Sequence, residues 1–353
     1  MKMVSVIVPV HNAAGTLEAA VRSALSQTYA EIELILVDDG AEDGSGDLCD
    51  AFAAADGRVR AFHMEDRGVS AARNLGIEEA RGGLITFLDA DDCLHPGMVQ
   101  MLAEMLDVTG ADCAGCGFER RSGDARPFAG ACDAQAGRGT GPDSAAEAPA
   151  GASSAGIGTG ELRELRGAQI ISEGILRPDH PDTRIWSKLF RREFIGQKRF
   201  REGLSIGEDF LFLAELAGED TRYVSTQREL YSYYINPNGA MERPFAPNHM
   251  DHLRCWELAE EEIRGTFPDL LTDPDTAARL AAQHLIAAVL TASKIARLPA
   301  GQQTQYVREF ETCRAAIGKY NKIKGAAPYL PRGYRVKIQM LLHTPGLYRK
   351  LYH

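Results

Sequence analysis

Over the first 120 residues, short apolar runs alternate with segments of helical spacing, and that alternation admits few folds. Residues 4–10 (VSVIVPV) and 33–37 (ELILV) read as buried strands, followed by strands at 59–62, 84–88 and 112–118. Helical stretches fill the gaps at 16–27, 46–55, 70–80 and 96–109; in the first, Leu17, Ala20, Val21, Ala24 and Leu25 share one face. Strands separated by helices join through right-handed crossovers into a largely parallel sheet. The expected class is therefore α/β with a Rossmann-like, mostly parallel sheet. Ligands on such a sheet sit beyond the carboxyl ends of its strands.

Carboxylates stand at two of those ends. Asp38-Asp39-Gly40 follows the second strand, and Asp89-Ala90-Asp91-Asp92 follows the run LITFL. Clustered carboxylates repel one another, so a buried strand end rarely carries them without a cation or a polar ligand. A divalent cation holding a diphosphate fits, because hard oxygen ligands select Mg2+ or Mn2+. In an extended segment Asp89 and Asp91 point to the same side, so one can meet a ligand's hydroxyls and the other the metal. An acidic turn capping the helix that begins near Pro96, with Asp92 as its N-terminal charge, fits these residues equally well.

The rest of the chain is less regular. Between 123 and 160, 20 of 38 residues are Gly or Ala, too little apolar surface to offset chain entropy, so a flexible loop is expected, an inert insertion before a lid. A helix at 161–176 follows, then RIWSKLFRREF at 184–194, a helical LSIGEDFLFLAEL at 204–216, and aromatic strands around Tyr223 and 230–234. After Pro247 the pattern is helical. This divides the chain into 1–122, the loop 123–160, 161–245 and a helical extension at 246–353. Seven scattered cysteines, an odd number, fit a reducing compartment and hence the cytoplasm. Cys113 and Cys116 lack the further ligands of a zinc site and read as small strand residues. The apolar start is broken by Ser5 and Pro9, so it reads as a strand, and no stretch is long enough for a transmembrane helix.

One ordered series of motifs adds a resemblance: VSVIVPVHNA, SALSQTY, ELILVDDG, DRGVSAARNLGI and ITFLDADD, continued by IWSKLFRREF and GEDFLF. Together they resemble family 2 glycosyltransferases of GT-A fold, specifically the bacterial enzymes of surface-polysaccharide synthesis. The resemblance covers about residues 3–120 and 184–240. It implies an inverting, metal-dependent transfer from a nucleotide-diphosphate sugar, a UDP-sugar first, to a hydroxyl of a glycan or lipid-linked glycan. Pro9 and His11 would flank the nucleotide base, and Asp39 would recognise it. His11 stands where many relatives have Tyr. Arg73 would lie near the nucleotide and the aspartates, where a purely structural ion pair fits as well. Asp89 would contact ribose or sugar, and Asp91 would ligate Mn2+ or Mg2+.

The pair Glu208-Asp209, after Gly207 and before an apolar run, reads by itself as the N-terminal charge of a helix. The resemblance makes Asp209 the catalytic base and lets Glu208 orient the acceptor or its loop. Trp186 and Lys188 would line the acceptor cleft, with a core position for Trp186 the alternative. Ser187 replaces a common Asn, and Tyr234-Ile235 a common Tyr-Arg. His249 and His252 (HMDH) are expected to be structural.

The net charge of -10 argues against nucleic acid as a partner. From Cys313 to His353 there are nine Lys/Arg and no Asp/Glu, leaving 39 - 9 = 30 basic against 49 acidic residues, or -19, before that point. A basic tail interleaved with apolar residues suits an anionic membrane surface, at the inner face of the membrane; a helix docked on the acidic body suits it too. Two rival functions remain. A sugar-phosphate nucleotidylyltransferase would need a Gly-rich basic loop after Val10, which is missing. A catalytically decayed scaffold would not need Asp39, Asp91 and Asp209 together.

Overall fold

A computed structural model of the chain describes residues 2–123, 162–236, 239 and 242–351. The expected flexible loop at 123–160 thus falls, but for its first residue, outside the described residues. The strands are β1 (Val4–Val10), β2 (Ile32–Asp39), β3 (Val59–Met64), β4 (Leu84–Phe87), β5 (Cys93–Leu94), β6 (Cys113–Arg121), β7 (Arg163–Arg166), β8 (Lys188–Arg191) and β9 (Arg222–Tyr234). They form one sheet in the order β3-β2-β1-β4-β8-β6-β9-β5, with β7 paired to β9. The pairs β1–β2, β2–β3, β1–β4 and β6–β9 are parallel. Strand β8 runs antiparallel to both β4 and β6, so those two point the same way and end on the same edge.

The alternation is realised as expected. Helices α1 (Leu17–Leu25), α2 (Ser45–Ala55), α3 (Val69–Glu79) and α4 (Met98–Thr109) connect the strands of the first half. Val6, Ile7 and Val8 of β1 and Leu34, Ile35, Leu36 and Val37 of β2 are fully buried on both faces, as a two-sided parallel sheet demands. Register pairs Val10 with Asp38, and Ile7 with Phe87. The chain leaving β1, β2 and β4 therefore emerges along one edge, with His11, Asp39 and Asp89 close behind.

The second half departs from expectation in three places. Residues 161–176 were expected as a helix, but Arg163–Arg166 pairs with β9 and only Ile170–Ile175 coils, as a π-helix. An edge strand with one buried side chain, Leu165, carries almost no apolar signal. The helix expected at 204–216 begins at Glu208 as α6 (Glu208–Leu216), after the short α5 (Arg192–Ile195). The two aromatic strands are one, β9, whose pairing with β6 shifts register around Gly117.

Helices α7 (Asp251–Thr266), α8 (Pro274–Ala296), α9 (Ala300–Gln303), α10 (Val307–Tyr320), α11 (Tyr334–His343) and α12 (Pro345–Leu351) complete the chain. Asp273 caps α8 by accepting from Thr276 N at 2.8 Å, with Pro274 at the first helical position. The basic tail docks on this layer. Ile338, Leu341 and Tyr348 are buried, and the Tyr348 and Ser293 hydroxyls share a 2.7 Å hydrogen bond. Val336, Leu347 and Leu351 stay 64%, 51% and 64% exposed. Among the described residues no helix is long and apolar enough to cross a membrane.

Candidate active site

The end of β2 and the turn after β1 form one wall. Asp39 is buried, and its Oδ1 accepts from Arg67 N at 2.8 Å. His11 Nδ1 meets the Asp39 carbonyl at 2.8 Å, and its Nε2 meets Asn12 Nδ2 at 2.9 Å. Asn12 Oδ1 accepts from Glu42 N at 2.9 Å, so the amide nitrogen must donate to His11, whose Nδ1 then carries the proton. Asn12 reaches this geometry at φ 51°, which Asn tolerates better than most residues. Among the described residues, His11, Asp39 and Asp66 are a trio whose ligand atoms lie within 4.8 Å of one another. Both His11 nitrogens are already engaged, so this trio is not built as a metal centre. Pro9, half-buried on β1, pairs in register with Val37.

The carboxylates after β4 form the second wall. Asp91 is half-buried, and its Oδ2 accepts from Asn236 Nδ2 at 2.9 Å. Asp92 is not the helix cap that one reading of the sequence made it. It is fully buried, accepting from the Tyr231 hydroxyl and Tyr234 N, each at 2.8 Å. Burial and the charges of Asp89 and Asp91 push its carboxyl up to about 9. Cys93 and Leu94 continue as β5 beside β9, which is why this acid turns inward while Asp91 stays at the rim.

Arg73 of α3 ties the two halves together. Its side chain is 4% exposed; Nη1 donates to Glu208 Oε1 at 2.8 Å and Asp209 Oδ1 at 2.9 Å, and Nη2 to Asp89 Oδ1 at 3.1 Å. The same helix holds the chain leading to α6. Ser70 Oγ donates to Leu204 O at 3.0 Å, and Asn74 both donates to Phe200 O at 2.9 Å and accepts from Phe200 N at 2.8 Å. Gly207 then turns at φ 94°, where a Cβ would stand 2.7 Å from the Phe210 ring, and α6 opens with Glu208 and Asp209. Burial pushes the Asp209 carboxyl up to about 8; Arg73 opposes this, while Glu208 and Asp89 add to it. Burial likewise raises Asp89 against the pull of Arg73, with Asp91 adding its repulsion.

Trp186 and Lys188 are placed differently from the acceptor contacts the resemblance implied. Trp186 is 6% exposed, stacked on Tyr231 and Tyr233 at centroid distances of 4.3 and 5.7 Å. Lys188, 3% exposed, pairs with Asp182 and donates to Arg184 O at 2.5 Å. Both work from behind the surface. His249 is buried against the Phe245 ring, and burial lowers His252 to about 4, as structural residues would be. Cys113 and Cys116 lie on β6, with burial pushing the Cys116 thiol up to about 12. Asn12, Ser70, Asn74, Tyr231 and Asn236 escaped the sequence reading, because short polar residues and a Tyr within the run LYSYY signal nothing local.

A site of this make-up has recognisable relatives. Residues 5–136 match the family model described as Glycosyl transferase family 2. The glycosyltransferase EpsJ of Bacillus subtilis is 33% identical over 258 residues, 71% of this chain and 67% of EpsJ. The succinoglycan biosynthesis protein ExoO of Rhizobium meliloti is 29% identical over 70% of this chain and 65% of ExoO. The S. aureus TarS fragment 1-349, solved with UDP, superposes with a TM-score of 0.62 at 16% identity, covering 99% of this chain and 91% of that one. The mannosyltransferase PcManGT of Pyrobaculum calidifontis, solved with GDP-Man and Mn2+, gives 0.52 at 14% identity, covering 100% and 86%. The two structural likenesses support a GT-A fold with a helical C-terminal region, and the match to EpsJ over most of both chains settles kinship: this chain belongs to glycosyl transferase family 2 and is a transferase.

Proposed function

We propose that the chain moves a sugar, with inversion, from a nucleotide diphosphate donor, a UDP-sugar first, to a hydroxyl of a glycan or lipid-linked glycan in surface-polysaccharide synthesis. The observation that carries this reading is Arg73, which brings Asp89 from the donor edge and Asp209 from the acceptor helix onto one guanidinium. In this reading Asp39 contacts the nucleotide base between Pro9 and His11, and Asp89 contacts ribose or sugar. Asp209 accepts the proton of the attacking hydroxyl as its oxygen bonds to the anomeric carbon, while the electron pair of the breaking bond leaves with the diphosphate. A carboxyl at about 8 is a far stronger base than an ordinary one, and about a tenth of it is ionised at pH 7. Glu208, on the same Arg73 Nη1, holds that geometry.

The donor chemistry of the rim fits Mn2+ or Mg2+. Asp91 is a half-buried hard oxygen ligand whose charge repels both Asp89 and Asp92, a repulsion that a cation relieves. When bound, the cation would neutralise charge on the departing diphosphate. TarS has been solved with UDP and with UDP-GlcNAc, and PcManGT with GDP-Man, so nucleotide sugars are the donor class to try first. For the tail we propose an anionic membrane surface at the inner face as partner: exposed Val336, Leu347 and Leu351 stand in sequence beside exposed Arg335 and Lys350. Screening a panel of UDP- and GDP-sugars for nucleotide release tests the central claim. Release from one or more, lost in Asp39→Ala, supports it; binding without turnover by any donor would favour a decayed scaffold.

A further inference from the structure

We infer that a polar cavity beside β9 is a subsite for one sugar ring of the acceptor glycan, separate from the ring whose hydroxyl reacts. This rests on the transfer to a glycan proposed above. The cavity has a volume of about 240 Å³. Three guanidinium groups (Arg163, Arg177, Arg184) and His180 share its walls with three carboxylates (Glu173, Asp182, Glu229), Arg163 being paired with Glu173 at 3.0 Å and Arg184 with Asp182 at 3.8 Å. Ser225 and Gln227 add neutral donors and acceptors. A phosphate would call for net positive charge and an apolar ligand for a bare wall. Balanced planar groups interleaved with neutral hydrogen-bonding side chains match a neutral polyhydroxyl ring.

The walls are rigid where such a ligand needs them to be. Asp182 is pinned by Lys188 and by the Tyr223 hydroxyl at 2.6 Å. The Arg184 guanidinium lies 4.3 Å over the Phe118 ring and 5.4 Å over Trp186. Two backbone irregularities open the space. The register shift of β6 on β9 brings Gly117 so near the Gln227 carbonyl that a Cβ would stand 2.8 Å from it. On the far wall, the π-helix leaves Gly174 O to accept from Asp182 N at 3.1 Å and Arg177 N at 3.2 Å. β-Bulges and π-turns of this kind occur preferentially at functional sites.

A short chain of contacts links the cavity to the carboxylates. Arg184 covers Trp186, Trp186 stacks on Tyr231, and Tyr231 donates to Asp92. Trp186 and Lys188 thus bear on the acceptor by shaping the cavity wall from behind.

Saturation-transfer NMR of the full chain with methyl glucoside, methyl galactoside and methyl N-acetylglucosaminide, with UDP in the same tube, tests this. At least one glycoside should receive saturation, several-fold less in Ser225→Trp, which fills the cavity, and in Arg177→Ala, with the UDP signal unchanged. If Ser225→Trp fails to fold, Arg177→Ala decides. No glycoside signal in the wild type, or an undiminished one in the folded variants, overturns the subsite. Loss of the UDP signal in the wild type instead counts against the nucleotide-sugar reading and leaves the glycoside arm readable.

Discussion

Asp209→Asn separates the two consequences of burying the proposed base. The folded-state value is about 8 against an ordinary 3.8. Between those values the folded protein holds a proton that the unfolded chain has released. Wild-type stability therefore falls as pH rises from about 4 to 8, and levels off above. At pH 5 the folded-state carboxyl is protonated and Asn is its close mimic, so the variant leads the wild type only through the ionisation the unfolded chain has already undergone, at most about 1.6 kcal/mol. Each pH unit inside the window is at most about 1.4 kcal/mol, so between pH 5 and pH 8 the variant gains up to about 4 kcal/mol more on the wild type. Asp89 and Glu208 share the same guanidinium, so the observed gain is a fraction of that bound. Turnover should fall about 10²- to 10⁴-fold, because an amide accepts no proton, while UDP affinity stays near wild type. Urea unfolding at pH 5 and 8 and initial rates on the identified donor read both effects. A stability difference that does not change with pH would refute the raised carboxyl; wild-type turnover would move the base elsewhere, to Glu208 first.

Arg73→Met leaves buried Glu208 and half-buried Asp89 and Asp209 without their counter-charge, which should cost about 3–5 kcal/mol at pH 8 and less at pH 5, where the two raised aspartates are protonated; a pH-independent loss would contradict this. EDTA should abolish transfer and Mn2+ or Mg2+ restore it, while Asp91→Ala stays folded and inactive. Full activity of that variant in EDTA ends the metal reading. Deleting the tail would uncover the layer that Ile338, Leu341 and Tyr348 cover, so the membrane reading is better tested by surface changes. The combination Arg335→Glu, Leu347→Ser and Lys350→Glu should abolish cosedimentation with anionic vesicles at moderate salt, each basic residue being worth about 1 kcal/mol there. Equal partitioning of variant and wild type would leave the tail a packing element.

What could be read from the sequence follows from what each residue does. The apolar runs were legible, because a two-sided buried strand writes its own length: β1, β2 and β4 lie where the runs place them. The inward turn of Asp92 was not, since three acids in four positions do not say which one finds a tyrosine 139 residues later. Strand β7 was missed because ELRELR has helical spacing, and only the waiting edge of β9 overrides that preference. Trp186 was legible as either a cleft or a core residue, and Lys188 as important but not as hidden. An aromatic ring and an ammonium group announce chemistry, whereas the Asp182 that Lys188 holds in place looks like any loop acid.

Helix α3 shows most clearly why polar pattern alone misleads, and what such a pattern is for. Ser70, Arg73 and Asn74 fall on one face at helical spacing, which by period would be the solvent face, yet all three are buried. Their partners are the backbone of 200–204 and the acids opening α6, so the face encodes the position of the acceptor-side segment. Asn74 is the residue on which to test this, since nothing assigns it to substrate. Asn74→Leu removes the clamp and leaves the Phe200 N–H and carbonyl unpaired in the core, costing about 1–3 kcal/mol each. The Phe200 ring stacks on Phe212 at 3.9 Å, so its displacement reaches α6 directly. A shift of about 1 Å at Asp209 is enough to lower turnover about 10²-fold. Asp39 is held separately by Arg67 N, so UDP affinity should be spared. Asn74→Asp, which keeps the acceptor for Phe200 N and loses only the donor, should recover part of the rate. If Asn74→Leu folds and turns over as the wild type does, or loses UDP affinity in step with rate, α3 is ordinary core and does not position the base.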